Sequence, residues 1–348
     1  MAVRLLAAAL ALAAAPLIAA PVTDALQRPA LQLRQPERAV LLAAARAGER
    51  LVAVGERGVV LLSDDQGKAW RQAPCPVSVT LTALRFADAR RGVAVGHGGT
   101  VLTTEDAGET WTRRLDGRRL AQMALDAARA GGDAARIKEA ELLLQDGPDK
   151  PLLDVLLLDA KRIVVVGAYG IAAASDDGGE RWTPWMARLD NPRGLHLYAL
   201  RRHGETLLVA GEQGLLLHSA DGGASFKRIA LPYKGSFFTA ELLSAADWLV
   251  AGLRGNAWRS TDAGASWQQL AVPMPASITA SMLDRDAGLW LGNQAGFVMR
   301  LGAAGFAPVN PTPLAPIAGL AAGAQGLLAL GLAGVQPVPV AQAKDAPR

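Results

Sequence analysis

The chain has 348 residues, 51% of them hydrophobic and 20% charged, which allows a sizeable core and argues against wholesale disorder. Its 36 basic and 32 acidic residues leave a formal net charge of +4 and form no long runs. A dedicated nucleic-acid binder would concentrate its basic residues in a stripe.

The first 25 residues read MAVRLLAAALALAAAPLIAAPVTDA. Arg4 supplies a positive start, Leu5 to Ile18 an apolar stretch of signal-peptide length, and Ala19, Ala20 and Ala25 the small residues that follow. The expectation is a signal peptide over 1–25 and export to the periplasm, or to the thylakoid lumen in a photosynthetic organism; a retained membrane anchor is the alternative. No cysteine follows the apolar stretch, so lipid anchoring is not indicated. No later segment is long and apolar enough to span a bilayer. The lone Cys75 cannot form an internal disulfide and reads as a partly buried, inert thiol.

From residue 27 to 340 the chain is repetitive. Apolar runs ending in Gly-x-x-Gly recur as LVAVGERG, VAVGHGG, IVVVGAYG, LLVAGEQG and WLVAGLRG, then more weakly as LWLGNQAG and LLALGLAG. The first glycines stand at 55, 96, 167, 211, 252, 292 and 331, a spacing of about forty residues with one long gap. A second motif, Ser/Thr-x-Asp-x-Gly-x-x-Trp/Phe, follows the first five runs and places Asp65, Asp106, Asp177, Asp221 and Asp262. Seven such units predict an all-β, seven-bladed propeller of four-stranded blades. Within a unit, Gly-x-x-Gly closes the second-to-third hairpin, where glycine tolerates positive φ. The Asp motif closes the third-to-fourth hairpin, its carboxylate accepting turn N–H groups. Five tandem copies make these aspartates folding elements; a calcium site would need the terminal Glu of an EF-hand loop, which is missing.

The long gap holds residues 117–150, rich in Ala, Leu, Arg and Glu, which read as two helices broken at Gly131–Gly132. The last unit offers three strands before a polar tail over 341–348. Residues 30–33, ALQL, are expected to supply its fourth strand and cover the exposed sheet edge.

Strand alternation sorts the loops by face. The Gly-x-x-Gly turns and blade-to-blade connections share one face, and the Asp motifs take the other. A partner-binding surface is therefore expected from Glu56, Arg57, His97, Tyr169, Glu212, Gln213, Arg254, Asn293 and Gln294, with Lys234 from the connection YKGSFF at 233–238 and the helical insertion on the same side. The four histidines lack metal-ligand spacing, and GHGGT lacks the lysine and helix of a phosphate loop. No metal, cofactor or nucleic acid is expected, and no catalytic constellation stands out.

The Asp motifs are similar to the Asp-box, or BNR, repeats of sialidases and several non-enzymatic propellers. Together with AVGERG, AVGHGG, DGPDKPLLDV, VVGAYG, YKGSFF and GLRG, they make residues 27–336 resemble the photosystem II stability/assembly factor-like family. The resemblance implies an exported seven-bladed propeller without a known reaction. Plastid and cyanobacterial members assist photosystem II assembly, with an arginine-bearing face implicated in binding, to which Arg57 and Arg254 would correspond. The helical insertion departs from the compact photosynthetic pattern and resembles the proteobacterial branch. The reading is a non-enzymatic, monomeric scaffold or assembly factor that binds a membrane-protein complex or exported protein. The alternatives are a sialidase-like glycoside hydrolase, with Tyr169 and Glu56 or Glu212 as its nucleophile pair, and a lectin-like propeller stacking sugars on Trp185, Tyr198 or Trp248.

Overall fold

The computed structural model describes residues 24–339, so the signal-peptide reading, apart from Asp24 and Ala25, and the polar tail lie outside the described residues. Each repeat folds into one antiparallel sheet with its strands in chain order. Six sheets have four strands and the last has three. Blade 1 runs Leu41–Ala47, Arg50–Gly55, Val60–Ser63 and Arg71–Ala73. The inner strand of every blade touches the inner strands of both neighbours, the first and last blades included, so the ring closes into a seven-bladed propeller.

Burial explains the composition of the second strands. Gly92–Gly96 (GVAVG), Ile163–Gly167 (IVVVG) and Trp248–Gly252 (WLVAG) are buried at every position. A central strand of a blade has a neighbouring blade on each face, so an alternating apolar/polar pattern would bury its polar half. Continuous Val, Leu, Ile and Ala is the solution, each fully buried large aliphatic side chain contributing roughly 1.5–3 kcal/mol.

The two glycines of Gly-x-x-Gly answer different requirements. The last one adopts positive φ, as at Gly58 (φ 74). The first is extended, as at Gly55 (φ −164), where any L-residue is conformationally welcome. What forbids a side chain there is the incoming connection, because a Cβ on Gly55 would lie 1.9 Å from the Val40 carbonyl oxygen. Strand pairing also moves one landmark. Asn293, not Gly292, is the counterpart of Gly55 in blade 6, because Ile278 pairs with Asn293 as Leu41 pairs with Gly55.

Ring closure does not use residues 30–33 as expected. That segment lies beside the outer strand of blade 1, with Ala30 donating to the Cys75 carbonyl (3.0 Å) and Leu33 to Gln72 Oε1 (2.9 Å). Its path is set on both sides. Leu26 is buried against Gly98 of blade 2, and the Glu37 carbonyl sits against Gly334 of blade 7. Residues 24–40 thus form a strap over blades 2, 1 and 7. The last blade meets the first through a core of Leu41, Leu51, Leu61, Leu328 and Leu330, and through Arg46 donating to the Ala322 carbonyl (2.7 Å).

The insertion forms two helices, α1 (Gly117–Gly131) and α2 (Ala134–Asp146), broken where Gly132 turns left-handed at φ 71. Asp116 and Asp133 cap them, each carboxylate accepting two backbone N–H groups. Both ends are rooted at the Gly-x-x-Gly turn of blade 2, where Gly99 packs on Gly117 and donates to the Lys150 carbonyl. The helices lean outward against blade 3, seating Ala124, Leu125 and Ala140 with Met186. Among the described residues, no helix is long and apolar enough to cross a membrane. Cys75 is buried, and burial pushes its thiol up to about 11, so it is inert in the folded chain.

Candidate functional site

In blades 1 to 5 the Gly-x-x-Gly turn is a single tight turn whose third residue is left-handed. That residue is Arg57 (φ 54), Tyr169 (φ 57), Gln213 (φ 53) and Arg254 (φ 56) in blades 1, 3, 4 and 5, and Gly98 in blade 2. The left-handed region costs an L-residue roughly 1–2 kcal/mol that glycine avoids. All four side chains are exposed, with Tyr169 at 59%. The aspartate turns on the other face also hold non-glycine residues there, but two of the three, Ala107 and Ala263, present only a methyl group. Long, chemically distinct side chains in this conformation belong mainly to the Gly-x-x-Gly face.

Tyr169 begins a continuous cluster. Its backbone N–H donates to His196 Nδ1 (2.9 Å), so that ring nitrogen serves as the acceptor. Four rings then meet edge to face in series: Tyr169 on His196 (4.9 Å between centroids), His196 on Tyr198 (6.0 Å) and Tyr198 on Phe238 (5.2 Å). The rings pass from the tip of blade 3, through the start of the blade 4 inner strand Leu197–His203, to that of blade 5, Phe237–Leu242. Lys150 stands over the Tyr169 ring at 5.3 Å, its charge balanced by Asp149 and Asp146. Glu212 accepts from the His196 backbone N–H (3.2 Å), and Arg193 donates to Gln213 Oε1 (2.8 Å). Burial, with the nearby Glu212 charge, raises the Tyr198 hydroxyl above its ordinary value.

The expected residues are only partly brought together. Tyr169, Glu212 and Gln213 join this cluster. Arg254 and Lys234 are exposed on the adjoining blade 5 side. Glu56, Arg57 and His97 are exposed at blades 1 and 2, where the strap crosses the same face. Asn293 leaves the exposed set: it is 0% exposed, and its Oδ1 accepts the N–H groups of Ala295 and Phe297, so it shapes the turn while Gln294 alone points outward. The expected surface did not name Lys150, Arg193, His196 or Phe238, and Tyr198 entered only as a sugar-stacking candidate. They precede or open inner strands, outside the repeated motif. Among the described residues, no hydrogen bond joins the Tyr169 hydroxyl to Glu56 or Glu212. Trp248 is fully buried and Trp185 nearly so, which removes both as stacking surfaces.

The five aspartates close their turns in one way. Asp177 Oδ1 accepts from the Ser175 hydroxyl (2.9 Å) and the Arg181 N–H (2.9 Å), while Ser175 Oγ accepts from the Gly179 N–H (2.9 Å). The motif's Ser/Thr is therefore a relay between carboxylate and glycine. The Trp Nε1 of blades 1, 2 and 3 donates back to the glycine carbonyl. These bonds favour the ionised acid. The Ser266 hydroxyl and backbone N–H hold Asp262 at about 2, and the Arg91 and Arg90 N–H groups do the same for Asp88. A depressed folded value means stability that is fully present above the unfolded pKa of about 4 and lost as pH falls through about 2. The melting temperature is expected to fall steadily through that window, and Asp262→Ala to make the fall shallower, as read by circular dichroism at stepped pH. An unchanged slope in the variant would remove Asp262 from the acid response.

Residues 133–292 match the family model described as photosynthesis system II assembly factor YCF48. The photosystem II assembly lipoprotein Ycf48 of Synechococcus sp. (strain CC9902) is 33% identical over 82 residues, 24% of this chain. The match spans 25% of that relative's length. The structure of YCF48 from Cyanidioschyzon merolae superposes with a TM-score of 0.63 at 15% identity, covering 88% of this chain and 97% of that one. The WD40 β-propeller domain of Doa1 gives 0.62 at 8% identity, over 85% and 91%. At these identities the two structures speak for the propeller fold.

Proposed function

We propose, for a chain that is photosystem II assembly factor-like in sequence and a seven-bladed propeller in fold, the role of an exported, non-enzymatic scaffold that holds a membrane-protein complex or its assembly intermediate. The observation that carries the reading is the set of long side chains held left-handed at the Gly-x-x-Gly tips, Arg57, Tyr169, Gln213 and Arg254. Strain of this kind concentrates where a site needs a side chain presented in one direction. The ring series beside Tyr169 adds an apolar floor, and Arg254 and Lys234 add cations at its edge. Planar arginine donors suit the carboxylates of a protein partner. The similarity to the Synechococcus relative, a photosystem II assembly lipoprotein, supports a membrane-protein client of some kind. Periplasmic placement rests on the apolar start of the sequence.

The test is capture of client from detergent-solubilised membranes, with a photo-crosslinker at residue 254 to identify what is held. A central interface arginine is worth about 2 kcal/mol, so Arg57→Ala with Arg254→Ala is expected to weaken capture roughly tenfold or more without lowering the melting temperature. Lys68→Ala with Glu105→Ala, on the opposite face, is the control. Glu180 is unsuited to that purpose because it pairs with Arg114 and its carbonyl accepts from Arg119. Loss of capture in the control, with the arginine pair dispensable, would place the function on the wrong side of the ring. Fusing residues 1–25 to a reporter active only outside the cytoplasm tests export.

A further inference from the structure

The third-to-fourth turn breaks pattern once among the four-stranded blades. Blades 1 to 5 close it with the aspartate motif, whereas blade 6 uses the short hairpin in which Gly302 pairs with Gly305. Elsewhere the glycine of the motif packs against the preceding blade. A Cβ on Gly67 would meet Leu328 of blade 7, one on Gly108 would meet Leu62 of blade 1, and one on Gly179 would meet Arg114 of blade 2. The blade 6 hairpin meets only the chain just past the blade 5 outer strand, with Gly305 against Ala271 and the Phe306 N–H donating to the Ala271 carbonyl, and beside it an open cleft of about 370 Å³ remains between the two blades.

Its walls are chemically specific. Arg259, Thr261, Ser266, Trp267, Gln268 and Leu270 come from blade 5, and Leu301 with the short hairpin from blade 6. Trp267 is the motif tryptophan of blade 5. Its counterparts Trp111 and Trp182 are buried, while Trp267, like Trp70 of blade 1, is only partly buried. The Arg259 guanidinium is held in two bonds by Asp247 (2.8 and 2.6 Å), so it orients donors without leaving a free charge. Ser266 is tied to Asp262.

We infer that this cleft binds a neutral saccharide unit. An anionic ligand would call for unpaired cations, and the one guanidinium here is already neutralised by Asp247. A wholly apolar ligand would strip water from Thr261, Gln268 and the Arg259–Asp247 pair without replacing their hydrogen bonds. A polyhydroxylated ring satisfies both demands, with its C–H face on the indole and its hydroxyls reaching amide, hydroxyl and ion-pair groups that both donate and accept. The volume lies within the ~300–1,000 Å³ of ligand sites. The cleft opens beside the aspartate turns, away from the Gly-x-x-Gly face, so a glycan and a protein client would be held on opposite sides of one ring.

Saturation-transfer NMR on the full chain, with chitobiose, cellobiose and maltose as probes at millimolar concentration, tests the assignment. Transfer to at least one of the three is expected. Trp267→Ala should abolish it, and so should Ala303→Trp, which closes the cleft from the blade 6 wall and leaves Trp267 in place should the first variant unfold. Lys68→Ala should leave it unchanged. Absence of transfer to all three sugars would overturn the proposal, as would transfer that survives Ala303→Trp in a folded protein. Either result would leave client capture through Arg57 and Arg254 untouched.

Discussion

Replacing Asp154 with alanine is expected to cost about 3–5 kcal/mol of stability, the usual penalty for removing one partner of a buried ion pair. Asp154 is 4% exposed on the inner strand of blade 3, Leu152–Leu157. It meets Arg85 of blade 2 at 3.2 Å, pairs with Arg201 of blade 4, and accepts the N–H of Leu200 (2.9 Å). Arg201 continues to Glu241 of blade 5 at 3.8 Å, and Glu241 accepts from Ser281 of blade 6 (2.6 Å). A polar belt thus crosses five of the seven blades near the axis. Burial alone would raise the Asp154 carboxyl, but Arg85 and Arg201 outweigh it and hold the group below its ordinary value. Alanine removes a partner from both guanidiniums and from two backbone N–H groups, those of Leu200 and Val155. Asp154→Asn keeps an acceptor for Leu200 and should lose less. Asp154→Ala combined with Arg85→Leu and Arg201→Met should recover part of the loss, since the stranded charges then go too. Urea unfolding monitored by tryptophan fluorescence measures all three, and an alanine cost below about 1 kcal/mol would show that water already reaches the belt. Leu200 lies two residues from Tyr198, so the same substitution should loosen the ring series that floors the proposed client site.

How much of this was legible in the sequence follows from what repeats. Blade number, strand order and hairpin positions recur, so pattern reading recovered them. The helix break at Gly131–Gly132 carried its own local signal. The polar belt does not recur. Inner-strand positions equivalent to Arg85 hold Ala45, Leu156, Arg201, Glu241, Met282 and Ala321, so charge appears there in three of seven blades and with either sign, and Asp154, two positions earlier in its strand, sits in LLDV without a visible partner. The same holds for the contacts of Tyr169 with His196 and of Tyr198 with Phe238, which form only because blades 3, 4 and 5 converge on the axis. Residues 30–33 misled for a different reason. An apolar-polar tetrapeptide carries no address, and what fixed it beside blade 1 was Leu26 finding the space over Gly98. Asn293 was displaced by one position because LWLGNQAG contains a glycine one residue early, and only the pairing of Ile278 with Asn293 resolves which residue takes the place of Gly55.

Alanine at Gly296 is expected to be nearly as damaging as the loss of Asp154, and alanine at Gly170 much less so, although both glycines end the same motif. Both are left-handed, at φ 81 and φ 70, so each alanine carries a conformational cost of roughly 1–2 kcal/mol. The difference is what the new methyl would touch. At Gly296 it would lie 1.9 Å from the Leu314 carbonyl oxygen, a backbone atom fixed by the connection into blade 7, whereas at Gly170 the nearest atom is the Asn191 amide nitrogen at 2.8 Å, a side-chain atom that can give way by loosening its bonds to Leu195. Overpacking of the first kind adds roughly 1–3 kcal/mol, giving a total near 3 kcal/mol for Gly296→Ala. Gly55→Ala completes the comparison, because it has the backbone clash, 1.9 Å from the Val40 carbonyl, without the unfavourable φ. Denaturation midpoints should therefore rank Gly296→Ala as least stable, Gly55→Ala next and Gly170→Ala closest to the parent. If Gly170→Ala proves as destabilising as Gly296→Ala, backbone conformation alone explains the motif. If Gly55→Ala is the mildest of the three, the close approach of the connecting strands is not what keeps the first position glycine in six of the seven blades.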